Sequence, residues 1–420
     1  MIFAKLTNLA KRGALGTLGL RAGIVGINFV VMLGLAAFLG LETFGALAFL
    51  WGLALVAGTL LSLGGPLILL RALTDGGGLR GRDVIALSLI YPAILGLTAF
   101  GLLSTLWAEL PWAVVLGVGF AVNLLGCLAS VMRALGSVQW SMALRDAGPQ
   151  MALGVGALVA GNGTAGSILI ASAFVMGAGS LIVIFWCLRH ERAGRLQAKQ
   201  ARPVWSASLY GTSVLGMVIA QIDLIIGGAV LPPEALGLYA LLRRIANLVA
   251  LPVSVATWVS APPISAAHGA NDRRGLAEAS AAGSQIAFLP GTALFMIGLA
   301  ALPIVTLTSP DAFAAEASFA FGILLIGALG QVVFASGYTV ATLCGLARYA
   351  ALARFLGILI YLLAVPFFGA HLSITMNALA YVVAMTAGGV FLWGTLRKRH
   401  GIDTSAMVLW CRKSGRWKLS

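Results

Sequence analysis

Charged residues are scarce in this chain, and their scarcity excludes an ordinary soluble protein. They make up 10% of its 420 residues, whereas a soluble domain carries about 25%. Hydrophobic residues make up 60%, and the mean hydropathy is +1.00. A soluble domain of this length keeps a large polar surface. Most of the surface of this protein must therefore face lipid.

Cysteine and histidine are also rare, with four of each. The cysteines form no CxxC pair and the histidines are scattered, so the sequence predicts neither disulfides nor a metal site. The chain also lacks a GxxxxGK[ST] phosphate loop, a GxSxG motif and an HExxH motif, which would indicate nucleotide hydrolysis or hydrolytic catalysis. We therefore expect no enzyme and no cofactor.

Long apolar blocks recur along the whole sequence, and each is long enough to cross a membrane. A spanning helix needs about 20 mostly apolar residues. The predicted spans are residues 15–40, 45–70, 84–106, 112–132, 142–160, 164–187, 206–230, 235–258, 279–307, 314–338, 349–368 and 372–395. The sequence thus predicts an all-α polytopic membrane protein with about twelve transmembrane helices.

The charges outside these spans separate by side. The charged residues of the odd-numbered loops are all acidic, namely Glu42, Glu109, Glu234 and Asp311, with Glu316 at the very start of the tenth span, whereas the even-numbered loops and both tails are rich in Lys and Arg. Because cytosolic loops of membrane proteins are enriched in Lys and Arg, both termini are predicted to be cytosolic. This bias explains the formal charge of +14 without nucleic acid as a partner.

The chain divides into two predicted halves. Glu42-Thr-Phe-Gly45 follows the first span and Glu234-Ala-Leu-Gly237 follows the seventh, as in parallel repeats of six helices each. The longest cytosolic loop separates them. The predicted parts are an N-terminal six-helix bundle at 1–187, a cytosolic linker at 188–205, a C-terminal six-helix bundle at 206–395 and a basic cytosolic tail at 396–420.

A few ionisable residues lie inside predicted spans, where each costs at least a few kcal/mol. Asp223 precedes the outer end of the seventh span, and Arg243 and Arg244 follow the start of the eighth. A rise of 1.5 Å per residue places all three about 10–13 Å below the outer surface. We therefore expect Asp223 to pair with one arginine, while the other faces water, another helix or a ligand.

Two polar stripes extend this pattern. Tyr239, Arg243 and Asn247 share one helix face at intervals of four residues, and Arg21 lies on a polar face of the first span. With Arg145 near the fifth span, they suggest a cationic cavity between the halves that accepts an anionic head group. A structural salt bridge with snorkelling arginines is the alternative. Four further arginines are expected mainly as interfacial anchors: Arg71, Arg133, Arg348 and Arg354.

The sequence resembles a known family at these positions. Glu42-Thr-Phe-Gly45, the segment Leu63-Gly-Gly-Pro-Leu-Ile-Leu-Leu-Arg71, Gln221-Ile-Asp223, Glu234-Ala-Leu-Gly-Leu-Tyr239 and Ala261-Pro-Pro-Ile-Ser265 are similar to segments of the polysaccharide (lipid-linked oligosaccharide) flippases. These belong to the multidrug/oligosaccharidyl-lipid/polysaccharide exporter superfamily. The resemblance implies two six-helix bundles around a central cavity with alternating access.

The same resemblance implies a function. Its substrates would be polyprenyl-diphosphate-linked oligosaccharides, moved from the cytosolic to the periplasmic leaflet of a bacterial inner membrane in polysaccharide biosynthesis. Its partners would be membrane lipids and the polymerase and glycosyltransferases of the pathway. Expected cavity residues are Arg21, Arg145, Tyr239, Arg243, Arg244 and Asn247, with Asp223 as a coupling or ion-pair residue. The alternatives are a cation-coupled drug or metabolite antiporter and a membrane-embedded glycosyltransferase, acyltransferase or polymerase.

Overall fold

The computed structural model describes residues 15–74, 81–161, 163–189, 206–310, 313–368 and 373–406, and every regular element in these ranges is helical. The first half contains α1 (Leu15–Leu61), α2 (Gly65–Thr74), α3 (Gly81–Ile85), α4 (Tyr91–Leu106), α5 (Trp112–Ala134), α6 (Val138–Met142), α7 (Gly148–Ala160) and α8 (Ala165–Arg189). The second half contains α9 (Ala207–Val230), α10 (Pro233–Ala246), α11 (Leu251–Gly269), α12 (Arg273–Ala300), α13 (Leu302–Thr308), α14 (Ala314–Val333), α15 (Gly337–Leu343), α16 (Ala347–Phe368) and α17 (Ile374–His400).

The predicted spans all have helical counterparts. In the described residues, ten helices are long and apolar enough to cross a membrane. One of them is α1, which contains the first two predicted spans and is broken at Gly40, where φ is 75°. The fifth predicted span is interrupted by a π-helical turn at Ala143–Ala147, so neither α6 nor α7 reaches spanning length alone. The prediction of an all-α bundle with about twelve spans is confirmed.

Several helix boundaries differ from those predicted. Helix α10 continues through a short 3₁₀ turn into α11 and ends at Gly269, well beyond residue 258. Helix α12 begins at Arg273 rather than at residue 279. Helix α17 continues to His400, five residues beyond the predicted end of the twelfth span. Much of the predicted linker and the end of the predicted tail, residues 190–205 and 407–420, lie outside the described part of the chain.

The chain separates into two compact units, Met1–Tyr210 and Gly211–Ser420. In the first unit, α5 packs against both α1 and α8, and α7 packs against α8. The contact between α1 and α5 is made by glycines. A Cβ atom on Gly58 would lie 2.6 Å from the Gly119 carbonyl oxygen, and one on Gly119 would lie 2.8 Å from the Gly58 nitrogen. Only glycine permits this backbone-to-backbone approach, as in other membrane helix pairs.

In the second unit, α11 packs against α12, and α17 packs against both α14 and α16. The segment after α17 folds back onto this bundle. The Thr404 carbonyl accepts hydrogen bonds from Ser284 and Ser336, both buried, and the Ala406 amide donates to the Val333 carbonyl at 2.9 Å. These contacts fix the position of the C-terminal end of α17.

Large apolar side chains cover the outside of both units. Leu158, Phe174 and Leu307 are 73%, 75% and 85% exposed, respectively. Water would strongly disfavour so much exposed apolar surface, whereas lipid tails accept it. The exposed leucines and phenylalanines and the long apolar helices together describe a multi-pass membrane protein.

Candidate functional site

A buried ion pair lies in the second unit. Asp223, in the middle of α9, is fully buried, and the Nε atom of Arg243 on α10 lies 2.8 Å from its Oδ2 atom. The two helices are joined by a tight turn at Leu231–Pro232, which makes them neighbours and brings residues of equal depth together. The expected pairing of Asp223 with one of the two arginines is thus present, and the arginine is Arg243.

Both members of the pair make further contacts. The Tyr239 hydroxyl, one turn before Arg243, donates to Asp223 Oδ2 at 2.5 Å. The Nη2 atom of Arg243 donates to the Ala220 carbonyl at 2.5 Å and to the Tyr381 hydroxyl at 3.1 Å. The guanidinium also lies over the Tyr381 ring, 4.7 Å from its centroid, where the electron-rich aromatic face attracts a cation.

A second layer ties this cluster to two more helices. The Asn377 side chain on α17 donates to the Asp223 carbonyl oxygen at 3.2 Å, and its own Oδ1 accepts from the Tyr361 hydroxyl of α16 at 2.5 Å. Sequence reasoning missed Tyr361, Asn377 and Tyr381. Asn377 and Tyr381 are polar residues four positions apart on an apolar helix, and that interval was the available signal.

The contacts change the interpretation of Arg243 and Tyr239. Arg243 is only 7% exposed and Tyr239 is fully buried, so neither presents its polar group to a ligand in this conformation. The two charges of Asp223 and Arg243 neutralise each other. Removing one member of such a pair leaves an uncompensated buried charge, which is strongly unfavourable. We therefore interpret Arg243 and Tyr239 as residues that hold α9, α10 and α17 together.

Arg244 is in a different position. It is partly exposed, and successive helical residues point about 100° apart, which directs it away from the Asp223 cluster. Within the described part of the chain, Arg244 has neither a carboxylate within ion-pair distance nor a hydrogen-bond partner. Arg244 is therefore the arginine for which the sequence predicts that it faces water, another helix or a ligand.

Asn247 lines a narrow and mostly apolar crevice next to the cluster. Gln331 and Tyr381 line it with apolar residues of α14 and α17. The predicted stripe of Tyr239, Arg243 and Asn247 therefore divides: its first two residues contact Asp223, and Asn247 lies at this crevice.

A further arginine of the second unit also lacks an acidic partner among the described residues. Arg354 on α16 donates to the Thr212 carbonyl of α9 and lies over the Tyr338 ring, 4.8 Å from its centroid. A side chain on Gly216 would collide with the guanidinium, because its Cβ would lie 2.8 Å from Nη1. Arg354 is therefore held against the backbone of α9, rather than acting only as an interfacial anchor.

The first unit has its own cationic cluster. Arg145 pairs with the adjacent Asp146 at 2.7 Å, within the π-helical turn, and the Asp146 carbonyl accepts a hydrogen bond from Asn28 at 2.8 Å. Arg21 and Arg133 both lie within electrostatic range of these two residues. Three arginines thus lie around one aspartate. Arg21 and Arg145, both expected in the cavity, thus lie within electrostatic range of each other.

Comparisons with known proteins show similarity of fold. No protein-family profile and no curated protein sequence matches the chain. Among solved structures, the lipid II flippase MurJ in an inward closed conformation aligns with a TM-score of 0.61 at 13% identity, over 91% of this chain and 88% of that one. The chain has the fold of MurJ.

Transporters of the MATE family share this fold. The MATE multidrug transporter DinF-BH aligns with a TM-score of 0.61 at 16% identity, over 94% of this chain and 96% of that one. VcmN of Vibrio cholerae in its bent form aligns with a TM-score of 0.54 at 15% identity, over 92% and 97%. All these proteins are transporters or flippases, and the resemblance in fold extends over nearly the whole chain.

Proposed function

We propose that this protein moves polyprenyl-diphosphate-linked oligosaccharides from the cytosolic to the periplasmic leaflet of a bacterial inner membrane by alternating access. The observation that carries the proposal is Arg244, a partly exposed intramembrane arginine with no acidic partner among the described residues. An ionisable residue inside a membrane is expensive and usually functional. A cation of this kind suits an anionic substrate.

The first unit supports the same substrate class. Arg21, Arg133 and Arg145 all lie within electrostatic range of Asp146, so arginines are concentrated within or beside the spans of this unit as well. Guanidinium groups bind phosphate oxygens with two parallel hydrogen bonds. The fold is that of a lipid II flippase among others, which agrees with a lipid-linked anion as cargo.

The membrane potential supplies a driving force for this direction. With the cytosol negative, each negative charge that moves outward gains about 2.3 kcal/mol per 100 mV. A diphosphate carries about two such charges, so the gain is roughly 4.6 kcal/mol per 100 mV. The membrane potential therefore favours export of the charged head group.

A cation-coupled drug or metabolite antiporter is the second candidate. The MATE transporter ClbM, solved in complex with Rb⁺, has the same fold, and Asp223 is an intramembrane carboxylate. However, Asp223 is fully buried and neutralised by Arg243, which counts against a free acidic site for a cation. An embedded transferase or polymerase of the same pathway is the third candidate, and the transporter fold counts against it.

The test is export of polysaccharide in cells that carry a single variant copy. We expect Arg244→Gln to abolish surface or secreted polysaccharide while the protein remains in the membrane at normal abundance. Arg273→Gln is the matched control, since it removes the same charge from an exposed arginine at the start of α12. Normal polysaccharide in Arg244→Gln would refute the assigned role.

The proposal also predicts the genetic setting and the ion dependence. Genes for glycosyltransferases and a polymerase are expected beside this one, because the substrate must be assembled before export and polymerised afterwards. The antiporter alternative predicts transport that requires a sodium or proton gradient. Polysaccharide export that continues after the sodium gradient and the pH gradient are collapsed, with the membrane potential kept, distinguishes the two.

A further inference from the structure

Two arginines converge on one tyrosine at the end of the second unit where α17 ends. The Tyr349 hydroxyl accepts a hydrogen bond from Arg348 Nη2 at 3.1 Å and from Arg399 Nη1 at 3.2 Å. Both guanidinium groups also lie over the Tyr349 ring, 4.8 Å and 5.7 Å from its centroid. The His400 ring contacts the same tyrosine edge-on, with centroids 6.0 Å apart.

No carboxylate in the described part of the chain pairs with these two arginines. Within the described residues, neither Arg348 nor Arg399 has an acidic group within 4 Å. The neighbouring Arg397 does have one, since its Nε atom lies 3.8 Å from Asp403. The chain beyond residue 403 contains no Asp or Glu. Two like charges are therefore held together by a neutral hydroxyl and an aromatic ring.

The tyrosine that both arginines contact is packed into the apolar core of the second unit. Tyr349 is 8% exposed and belongs to an apolar cluster with Val340, Ala353 and Leu396, while Arg348 and Arg399 are exposed. Arg348 lies in the first turn of α16 and Arg399 in the last turn of α17. A basic residue in the first turn of a helix is electrostatically unfavourable, and an anion there is favourable. An anion bound beside Arg348 would therefore be favoured at this position.

The unused donors define the ligand. A guanidinium has five N–H groups, and the Tyr349 hydroxyl takes one from each arginine, so most donors remain exposed to solvent. A tetrahedral anion with several oxygens matches two adjacent guanidinium forks. The cluster lies where an apolar helix pair meets the polar side that the charge bias assigns to the cytosol, and lipid phosphates are found at that level.

We propose that Arg348, Arg399 and Tyr349 form a binding site for the phosphate of an anionic phospholipid head group. This site is separate from the transport site and does not depend on the identity of the transported substrate. A bound lipid would screen the two arginines from each other and clamp the start of α16 to the end of α17. Phospholipid composition would then modulate the stability of the second unit.

The experiment measures lipid binding to the purified full chain in detergent by native mass spectrometry. Phosphatidylglycerol, phosphatidylcholine and inorganic phosphate are the probes. We expect phosphatidylglycerol to bind more tightly than phosphatidylcholine. The double variant Arg348→Gln/Arg399→Gln should weaken the binding of phosphatidylglycerol by about tenfold or more, which corresponds to a loss of about 1.4 kcal/mol of binding free energy. The matched control is Arg273→Gln/Arg274→Gln, which removes two charges from exposed residues at the start of α12 and is expected to leave binding within about twofold.

Each other outcome overturns the proposal. An equal loss in both double variants means that general surface charge attracts the lipid. Full displacement of phosphatidylglycerol by millimolar phosphate means that a free anion occupies the site. Equal affinities for phosphatidylglycerol and phosphatidylcholine mean that the site does not select an anionic head group. If Arg348→Gln/Arg399→Gln does not fold, Tyr349→Phe takes its place, because it keeps both charges and the ring but removes the shared hydroxyl. Tyr349→Phe is expected to weaken the binding of phosphatidylglycerol but not that of phosphatidylcholine.

Discussion

The Asp223–Arg243 pair offers a prediction whose size follows from its burial. Arg243→Met removes the cation but leaves the carboxylate, which is fully buried and whose Oδ1 atom accepts no hydrogen bond from the described residues. Breaking a buried ion pair by removing one partner costs about 3–5 kcal/mol. In a unit of this size, each kcal/mol lowers the melting temperature by about 2–4 °C. We expect a decrease of roughly 6–20 °C.

The double variant gives the sharper result. Replacing both members of a buried pair by apolar residues of similar volume is often neutral or stabilising. Asp223→Leu/Arg243→Met is therefore expected to be more stable than either single variant, so that the effects of the two single changes do not add. Thermal unfolding of the purified protein in one detergent measures all four members of the cycle. Additive effects of the two single changes would refute the reasoning.

Three further predictions concern other parts of the chain. Gly119→Val should separate α1 from α5 and lower the melting temperature, because its Cβ has no room beside the Gly58 backbone. The control Gly117→Val has open space around it and should change the melting temperature little. Equal effects of the two substitutions would contradict the close packing. A reporter fused after Trp107 should be periplasmic and one fused after Arg195 cytosolic, and the opposite result would reverse the assigned orientation. Arg21→Gln/Arg145→Gln should reduce polysaccharide export without loss of membrane abundance, because it removes two of the three positive charges around Asp146, and unchanged export would exclude this cluster from the transport path.

Hydropathy and charge bias were enough to predict the spans, but not all of their boundaries. The composition of a helix is constrained only where it contacts lipid, so α11 continues past Pro262 and Pro263 into a more polar segment. Proline is tolerated in membrane helices, where neighbouring helices and side chains satisfy the freed backbone groups. A sliding hydropathy window therefore ends the eighth predicted span at residue 258, before the helix ends at Gly269.

The candidate site shows a similar limit. Asp223 and Arg243 are joined by a short turn, so equal depth alone predicts their contact. Tyr381 is 138 residues from Arg243, and Asn377 is 154 residues from Asp223. Only the packing of α17 against the first helices of this unit brings them together. Sequence also does not decide which of two adjacent arginines pairs with the aspartate, because that depends on the rotation of α10 about its axis.

The measurement that tests the central claim most directly is lipid flipping in proteoliposomes. Purified wild-type protein and Arg244→Gln are reconstituted with the lipid-linked oligosaccharide extracted from the native cells, and its appearance in the opposite leaflet is followed with an impermeant glycosidase or lectin. We expect the wild type to transfer the lipid at a rate that increases with the membrane potential, and Arg244→Gln to transfer little. Equal transfer by both proteins, or none by a folded wild type, would contradict it.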